Sequence, residues 1–191
     1  MHDFAVYRRN MVECQIRTNQ VTDRGVLEAF ANTPRERFVP ASLAGCAYVD
    51  EAIPLGNDRY LVEPMVSARL MQALDLKTTD KVLLVGASTG YMAAILASIV
   101  GEVVALEVDA DLAAQATRNL QALAVGNATV VTGSLPAGHA RKAPYDAILI
   151  DGGVAKISAA LGEQLRDGGR LAAVVAGVGG TRSEEHTSEL Q

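Results

Sequence analysis

The sequence predicts an α/β chain, a doubly wound and mostly parallel sheet behind an N-terminal helical cap. Three observations carry this. From Lys81 onward, short runs rich in Val, Ile and Leu alternate with helically spaced segments, the pattern of strand–crossover–strand units with right-handed connections. The run Lys81-Val-Leu-Leu-Val85 is almost wholly apolar and ends in a glycine loop, Gly86-Ala-Ser-Thr-Gly90, as expected of a strand buried on both faces that turns sharply into a helix. Just past the next strand stands Glu107, 21 residues after Gly86, where an acid can accept from both hydroxyls of a ribose.

In chain order, residues 3–18 read as a helix with Phe4, Tyr7, Met11, Cys14 and Ile16 mostly on one side. Thr22 or Asp23 caps a second helix that ends before Pro34. Residues 41–63 read as mostly irregular, punctuated by Pro54-Leu-Gly56. Pro64 suits the first position of a third helix, running to Leu76. The strands are expected at 81–85, 102–106, about 128–132, within 144–151 and at 170–175. Helices are expected at about 89–99, 110–124 and 155–165, the last closed by Asp167-Gly168-Gly169. Residues 1–76 thus form the cap segment and 77–181 the α/β region of one structural domain.

A hydrophobic share of 49% marks a globular chain rather than a disordered one, and 191 residues suit one full-sized core. The net charge of −5 comes without a long basic run, which argues against a dedicated nucleic-acid surface. No apolar run approaches a membrane span of roughly 20 residues, and the first residues lack a signal-peptide core. Cys14 and Cys46 are isolated, as reduced thiols of a cytoplasmic protein would be. His2, His139 and His186 show no ligand spacing, so no metal is expected. The expectation is a cytoplasmic monomer without nucleic-acid or membrane partners.

The last ten residues, 182–191, are polar, follow Gly179-Gly180 and show neither strand nor helix period. They back-translate to the start of a common sequencing adapter. The expectation is a non-native tail on a chain whose own C-terminus is missing.

The glycine loop alone marks a tight turn at least as well as a ligand site. Joined to the second strand and Glu107, it points to adenosine. A dinucleotide fingerprint wants glycines at the third and sixth loop positions, which here are Ser88 and Tyr91. Gly86, Glu107, Ser134 and Asp151 all fall at or just past the carboxyl ends of expected strands, where such sheets bind ligands.

From about Asn10 to Val178 the sequence resembles the protein-L-isoaspartate O-methyltransferase family. The resemblance rests on an ordered set of segments: Thr33-Pro-Arg-Glu-Arg-Phe-Val39, Ala52-Ile-Pro-Leu-Gly56 followed by Glu63-Pro64, Val82 to Tyr91, and Ala143-Pro-Tyr-Asp-Ala-Ile148. It implies a Rossmann-like methyltransferase fold, with two further strands beyond Val175, that binds S-adenosyl-L-methionine through Gly86, Ala87, Ser88, Gly90, Glu107 and Ser134. It implies methylation of the α-carboxyl of isoaspartyl residues in damaged proteins and peptides. Proximity and orientation dominate such a transfer, and no protein nucleophile or base is required.

The sequence departs from the family pattern at several of these positions. Val62 stands where the family has a serine that holds the substrate carboxylate, Tyr60 replaces a threonine, and Glu63 replaces a glutamine. Tyr60 is the possible substitute for the missing hydroxyl, so no residue is assigned a catalytic role. Leu84 replaces the acid that ends the first strand, Ser88 the middle glycine, and Ser134 the acid that reads the adenine amino group. Each lost charge-assisted contact costs roughly 1.5–3 kcal/mol. Glu63 and Asp151, if both face the substrate, would repel an anion. Three readings follow: a carboxyl methyltransferase of this family, a same-fold methyltransferase with another acceptor, or a non-catalytic relative that binds cofactor or a partner.

Overall fold

The computed structural model describes residues 3–56, 59–176 and 183–184. Helix α1, Phe4–Met11, is capped by Asp3, whose carboxylate accepts from the Val6 amide at 3.2 Å. The helical path continues, but not as the single α-helix expected over 3–18. A π turn, Val12–Ile16, and a 3-10 turn, Arg17–Asn19, take over, and the path closes at Gln20 with φ 65°. Helix α2, Arg24–Asn32, takes Asp23 as its cap, with the Val26 amide 2.8 Å from the carboxylate.

Residues 41–63 are more ordered than their sequence suggests. They hold a 3-10 turn, Ala41–Cys46, and an antiparallel hairpin of β1, Ile53–Gly56, and β2, Arg59–Leu61. Short strands containing Pro54 and a register shift leave no clean alternation for a sequence to display. Helix α3, Pro64–Ala73, begins on the proline as expected.

The strands β3 (Lys81–Val85), β4 (Glu102–Glu107), β5 (Ala128–Thr132), β6 (Tyr145–Val154) and β7 (Leu165–Ala176) pair in parallel in the order β5-β4-β3-β6-β7. The predicted doubly wound sheet is therefore present. Helices α4, Tyr91–Ala97, and α5, Ala110–Ala122, join the first three strands. Alternate side chains of the central strands enter two cores: Val82 and Leu84 join the core shared with α2, α3 and α4, and Leu83 and Val85 join the core on the other face. That two-sided burial is why Lys81–Val85 reads as a continuous apolar run.

The end of the sheet differs from expectation. The helix expected at 155–165 is one short turn, α6, Ala159–Gly162. Strand β6 runs on to Val154, and Gln164 is drawn down, its amide donating to the carbonyls of Ala137 and Ala160 at 2.8 Å. Strand β7 starts at Leu165 and incorporates the Asp167-Gly168-Gly169 turn as a bulge, with Gly168 at φ 71°. A second irregularity lies on β6 between Leu149 and Gly153. The segment β8, Ser183–Glu184, pairs antiparallel with Val175 and Ala176, so two residues of the expected tail take strand pairing despite their lack of period. The remainder of 182–191 lies outside the described residues.

Candidate active site

The glycine loop leaves β3 and doubles back. The amides of Gly86 and Ala87 both donate to the Leu106 carbonyl at 2.9 Å, and the Gly90 amide closes a turn on Ala87 at 2.8 Å. Gly86 (φ 87°) and Gly90 (φ 93°) occupy the left-handed region. A Cβ on Gly86 would stand 3.2 Å from the Asp151 carbonyl, and one on Gly90 3.1 Å from Ala116. Ser88 also takes positive φ, 54°, at a cost of about 1–2 kcal/mol for an L side chain. The loop thus keeps its turn at the position where the family pattern has glycine. It is braced by the Thr89 hydroxyl, which donates to the Phe38 carbonyl at 2.7 Å, and by Asn119, which donates to the Thr89 carbonyl at 2.9 Å.

Glu107 closes β4 and is wholly buried. Its carboxylate accepts the amides of Ser88 (2.7 Å), Val108 (2.8 Å) and Asp109 (3.0 Å). The Arg59 guanidinium, reaching over from β2, makes a bidentate pair with it at 2.7 and 2.9 Å. Arg59 carried no signal in the sequence, being one cation in a segment read as irregular. Only its pairing in space identifies it.

Beside the loop opens a cavity of about 490 Å³, lined among others by Arg59, Tyr60, Val62, Gly86, Asp151 and Lys156. Asp151 is placed there by the irregularity in β6, since a bulge re-aims the side chains within it. Its Oδ1 is buried and finds no partner among the described residues. Burial raises its pKa to about 7, against the pull of the Arg35 and Arg59 cations. Arg35 is fully buried. It donates through Nε to the Ala47 carbonyl and through Nη2 to the Val62 carbonyl, both at 2.8 Å, and lies 4.9 Å from the centre of the Tyr91 ring. Its desolvation lowers its pKa, while neighbouring Tyr91 and Asp151 act in the opposite sense. Burial raises the Tyr91 hydroxyl to about 12, so it stays protonated at neutral pH. Arg35 therefore holds the backbone at Val62, which explains why an arginine sits in the Thr33–Val39 segment.

The structure thus brings Tyr60, Val62, Gly86 and Asp151 to one cavity and sets Ala87, Ser88, Gly90 and Glu107 in the adjoining loop and strand end. Tyr60 is half exposed, so its hydroxyl reaches water as well as the cavity. Glu63 does not line the cavity. It precedes α3 and offers no side-chain cap, so the expected pair of repelling carboxylates is reduced to Asp151. Against it stand Arg59 and Lys156, which the sequence reading did not single out. Ser134 is exposed at the end of β5, next to cavity residues Leu135 and Pro136. Leu84 is core, fully buried between Ala105 and Leu149 of the flanking strands.

These residues fit an adenosyl cofactor. Gly86 presents its backbone to the cavity, Glu107 stands at the strand end with its carboxylate held by backbone amides and Arg59, and the Ser88 hydroxyl is buried without a partner among the described residues. Among the described residues no cluster suits a metal ion, and no helix is long and apolar enough to cross a membrane.

Comparison with known proteins gives the same direction. A family model described as protein-L-isoaspartate(D-aspartate) O-methyltransferase matches residues 7–186. The chain is similar to protein-L-isoaspartate O-methyltransferase 2 of Anaeromyxobacter sp. (strain Fw109-5), 40% identical over 164 residues, covering 86% of this chain and 68% of the relative. It is similar to the protein-L-isoaspartate O-methyltransferase of Roseiflexus castenholzii, 41% identical over 175 residues, covering 92% and 80%. A solved protein-L-isoaspartate O-methyltransferase superposes with TM-score 0.77 at 28% identity, over 88% of this chain. This chain spans about half of that one, 55%. A Plasmodium falciparum structure, described as a protein-L-isoaspartate O-methyltransferase in complex with S-adenosyl-L-homocysteine, superposes with TM-score 0.75 over 93% of this chain and 86% of that one. At 16% identity it speaks to the fold alone.

Proposed function

Because the chain belongs to the protein-L-isoaspartate(D-aspartate) O-methyltransferase family, whose methyl donor is S-adenosyl-L-methionine, we propose that its cavity takes the free α-carboxylate of an isoaspartyl residue in a protein or peptide. The bound donor supplies an electrophilic methyl, which passes to a carboxylate oxygen while the carbon–sulfur electron pair stays on sulfur and no proton moves. The chain's own residues bind and orient. Gly86 and the Ser88 hydroxyl meet the donor, Glu107 accepts from its ribose, and Ala87, Gly90 and Ser134 shape the same side. Tyr60, Val62 and Asp151 face the acceptor, and Arg35 fixes the Val62 backbone on which the acceptor rests.

The observation that carries this reading is the junction of the Gly86 loop with a 490 Å³ cavity that Lys156 makes suitable for an anion. Asp151 opposes an anion only as far as it is ionised, and its pKa of about 7 leaves much of it neutral near pH 7. A cytoplasmic location accords with Cys14 and Cys46 being exposed free thiols, which an oxidising compartment would tend to pair. The test is transfer of labelled methyl from S-adenosyl-L-methionine to an isoaspartyl peptide, with the aspartyl peptide as control. Base-labile label on the isoaspartyl peptide alone is the expected result. Equal labelling of both, or of neither, would refute it. Label found on a neutral or cationic acceptor would instead favour the same-fold reading that Asp151 suggests.

A further inference from the structure

Glu107 is oversubscribed as a ribose acceptor. Its oxygens already take five donors: the amides of Ser88, Val108 and Asp109, and two nitrogens of Arg59. A carboxylate offers about four lone-pair directions. The three amides belong to the backbone around the glycine loop and the start of α5, so they are fixed in place. Arg59 stands on the short β2, its side chain partly exposed on the cavity wall. It is the donor free to leave. Its Nη2 also lies 3.7 Å from where a Cβ on Gly86 would be, across the approach to the loop. Ribose hydroxyls therefore reach Glu107 only in exchange for Arg59.

A displaced Arg59 has a second place to bind. It lines the cavity beside Val62, which brings no hydroxyl to an acceptor. A guanidinium grips a carboxylate through two parallel hydrogen bonds, a better fit than a single hydroxyl. We propose that Arg59 is the acceptor-binding cation of this chain: it holds Glu107 until the cofactor's ribose takes that carboxylate, then turns to the acceptor's carboxylate, so that the acceptor binds second. The proposal rests on the methyltransferase reading above.

Calorimetric titration tests it without turnover. S-adenosyl-L-homocysteine is titrated into the wild-type chain, R59Q and R59K. An isoaspartyl peptide is then titrated into each protein alone and into each saturated with S-adenosyl-L-homocysteine. R59Q should bind S-adenosyl-L-homocysteine about tenfold tighter or more, since it lacks the competing charge-assisted pair. The wild type should bind peptide only when S-adenosyl-L-homocysteine is present. R59Q should lose about tenfold or more in peptide affinity, with R59K between the two. Thermal melts of all three proteins, with R59K as the milder change, separate these effects from misfolding. The proposal is overturned if R59Q binds S-adenosyl-L-homocysteine no tighter than wild type, or if wild-type peptide affinity ignores S-adenosyl-L-homocysteine. If the wild type binds S-adenosyl-L-homocysteine but never the peptide, the isoaspartyl reading and the acceptor role fall together. The gain in R59Q cofactor affinity then still decides the exchange at Glu107.

Discussion

Replacing Asp151 by Asn tests whether the cavity wall carries a carboxyl that changes charge near neutrality. Burial raises its pKa from 3.8 to about 7, although Arg35 and Arg59 pull the other way. In the unfolded chain an aspartate titrates near its ordinary value of about 3.9. Between about pH 4 and pH 7 the folded protein therefore keeps a proton that the unfolded chain has released. The unfolded state binds fewer protons, so stability falls as pH rises through this window and levels off above it. About three pH units, at ~1.36 kcal/mol each, cap the loss at about 4 kcal/mol. D151N has no such group. Measured by urea unfolding from about pH 4 to about pH 8, its stability relative to wild type should climb by up to that amount. In a chain of this size each kcal/mol moves Tm by about 2–4 °C, so thermal melts resolve the trend. Parallel pH profiles for the two proteins would refute the buried-carboxyl argument. A wild type that gains on D151N with rising pH would reverse its sign.

Three further substitutions bear on the site. E107Q, made in the R59Q background where no guanidinium pair has to be given up, should weaken S-adenosyl-L-homocysteine binding about tenfold or more, the worth of a charge-assisted contact, and equal calorimetric affinity of R59Q and the double variant would remove Glu107 from the cofactor site. S88G should raise the urea midpoint by about 1 kcal/mol equivalent, since glycine accepts φ 54° without the side-chain penalty; a lower midpoint would mean the Ser88 hydroxyl has a stabilising partner. V62S places a hydroxyl on the cavity wall while leaving the backbone bond from Arg35 intact, and should raise kcat/KM for an isoaspartyl peptide about tenfold. No change in kcat/KM would show that the acceptor carboxylate lies elsewhere.

The parts legible in the sequence are those fixed by local rules. Val82 to Val85 announce a strand because both faces of a parallel sheet are buried, and Gly86 and Gly90 announce a turn because that backbone takes positive φ. Glu107 is legible because chain distance along a strand–helix–strand unit is nearly constant. What stayed hidden depends on partners far away in sequence. Arg59 becomes part of the site only by meeting Glu107, 48 residues on. Asp151, expected at a strand end, lies within β6, which runs on to Val154, and its altered acidity comes from burial that sequence pattern does not encode. Glu63, read as a neighbour of Asp151, misses the cavity because β2 and α3 turn it aside at the helix start. The hairpin of β1 and β2 escaped notice because three- and four-residue strands are too short to show a period.

The π turn at Val12–Ile16 makes the first helix a shimmed part. Such a turn holds one residue more than an α turn, and one residue is about 100° of rotation. With that residue in place, Arg8 faces Tyr48 at 3.1 Å and Glu36 at 3.7 Å, and Phe4 packs near the Tyr48 ring at 6.4 Å. Met11, Val12 and Ile16 meanwhile stay in the core. Deleting one residue from the turn would restore a regular helix and swing Arg8 and Phe4 about a quarter-turn off their mates. The length of this segment is therefore as fixed as its chemistry, and a gap there in any relative should come with changes at Tyr48 and Glu36.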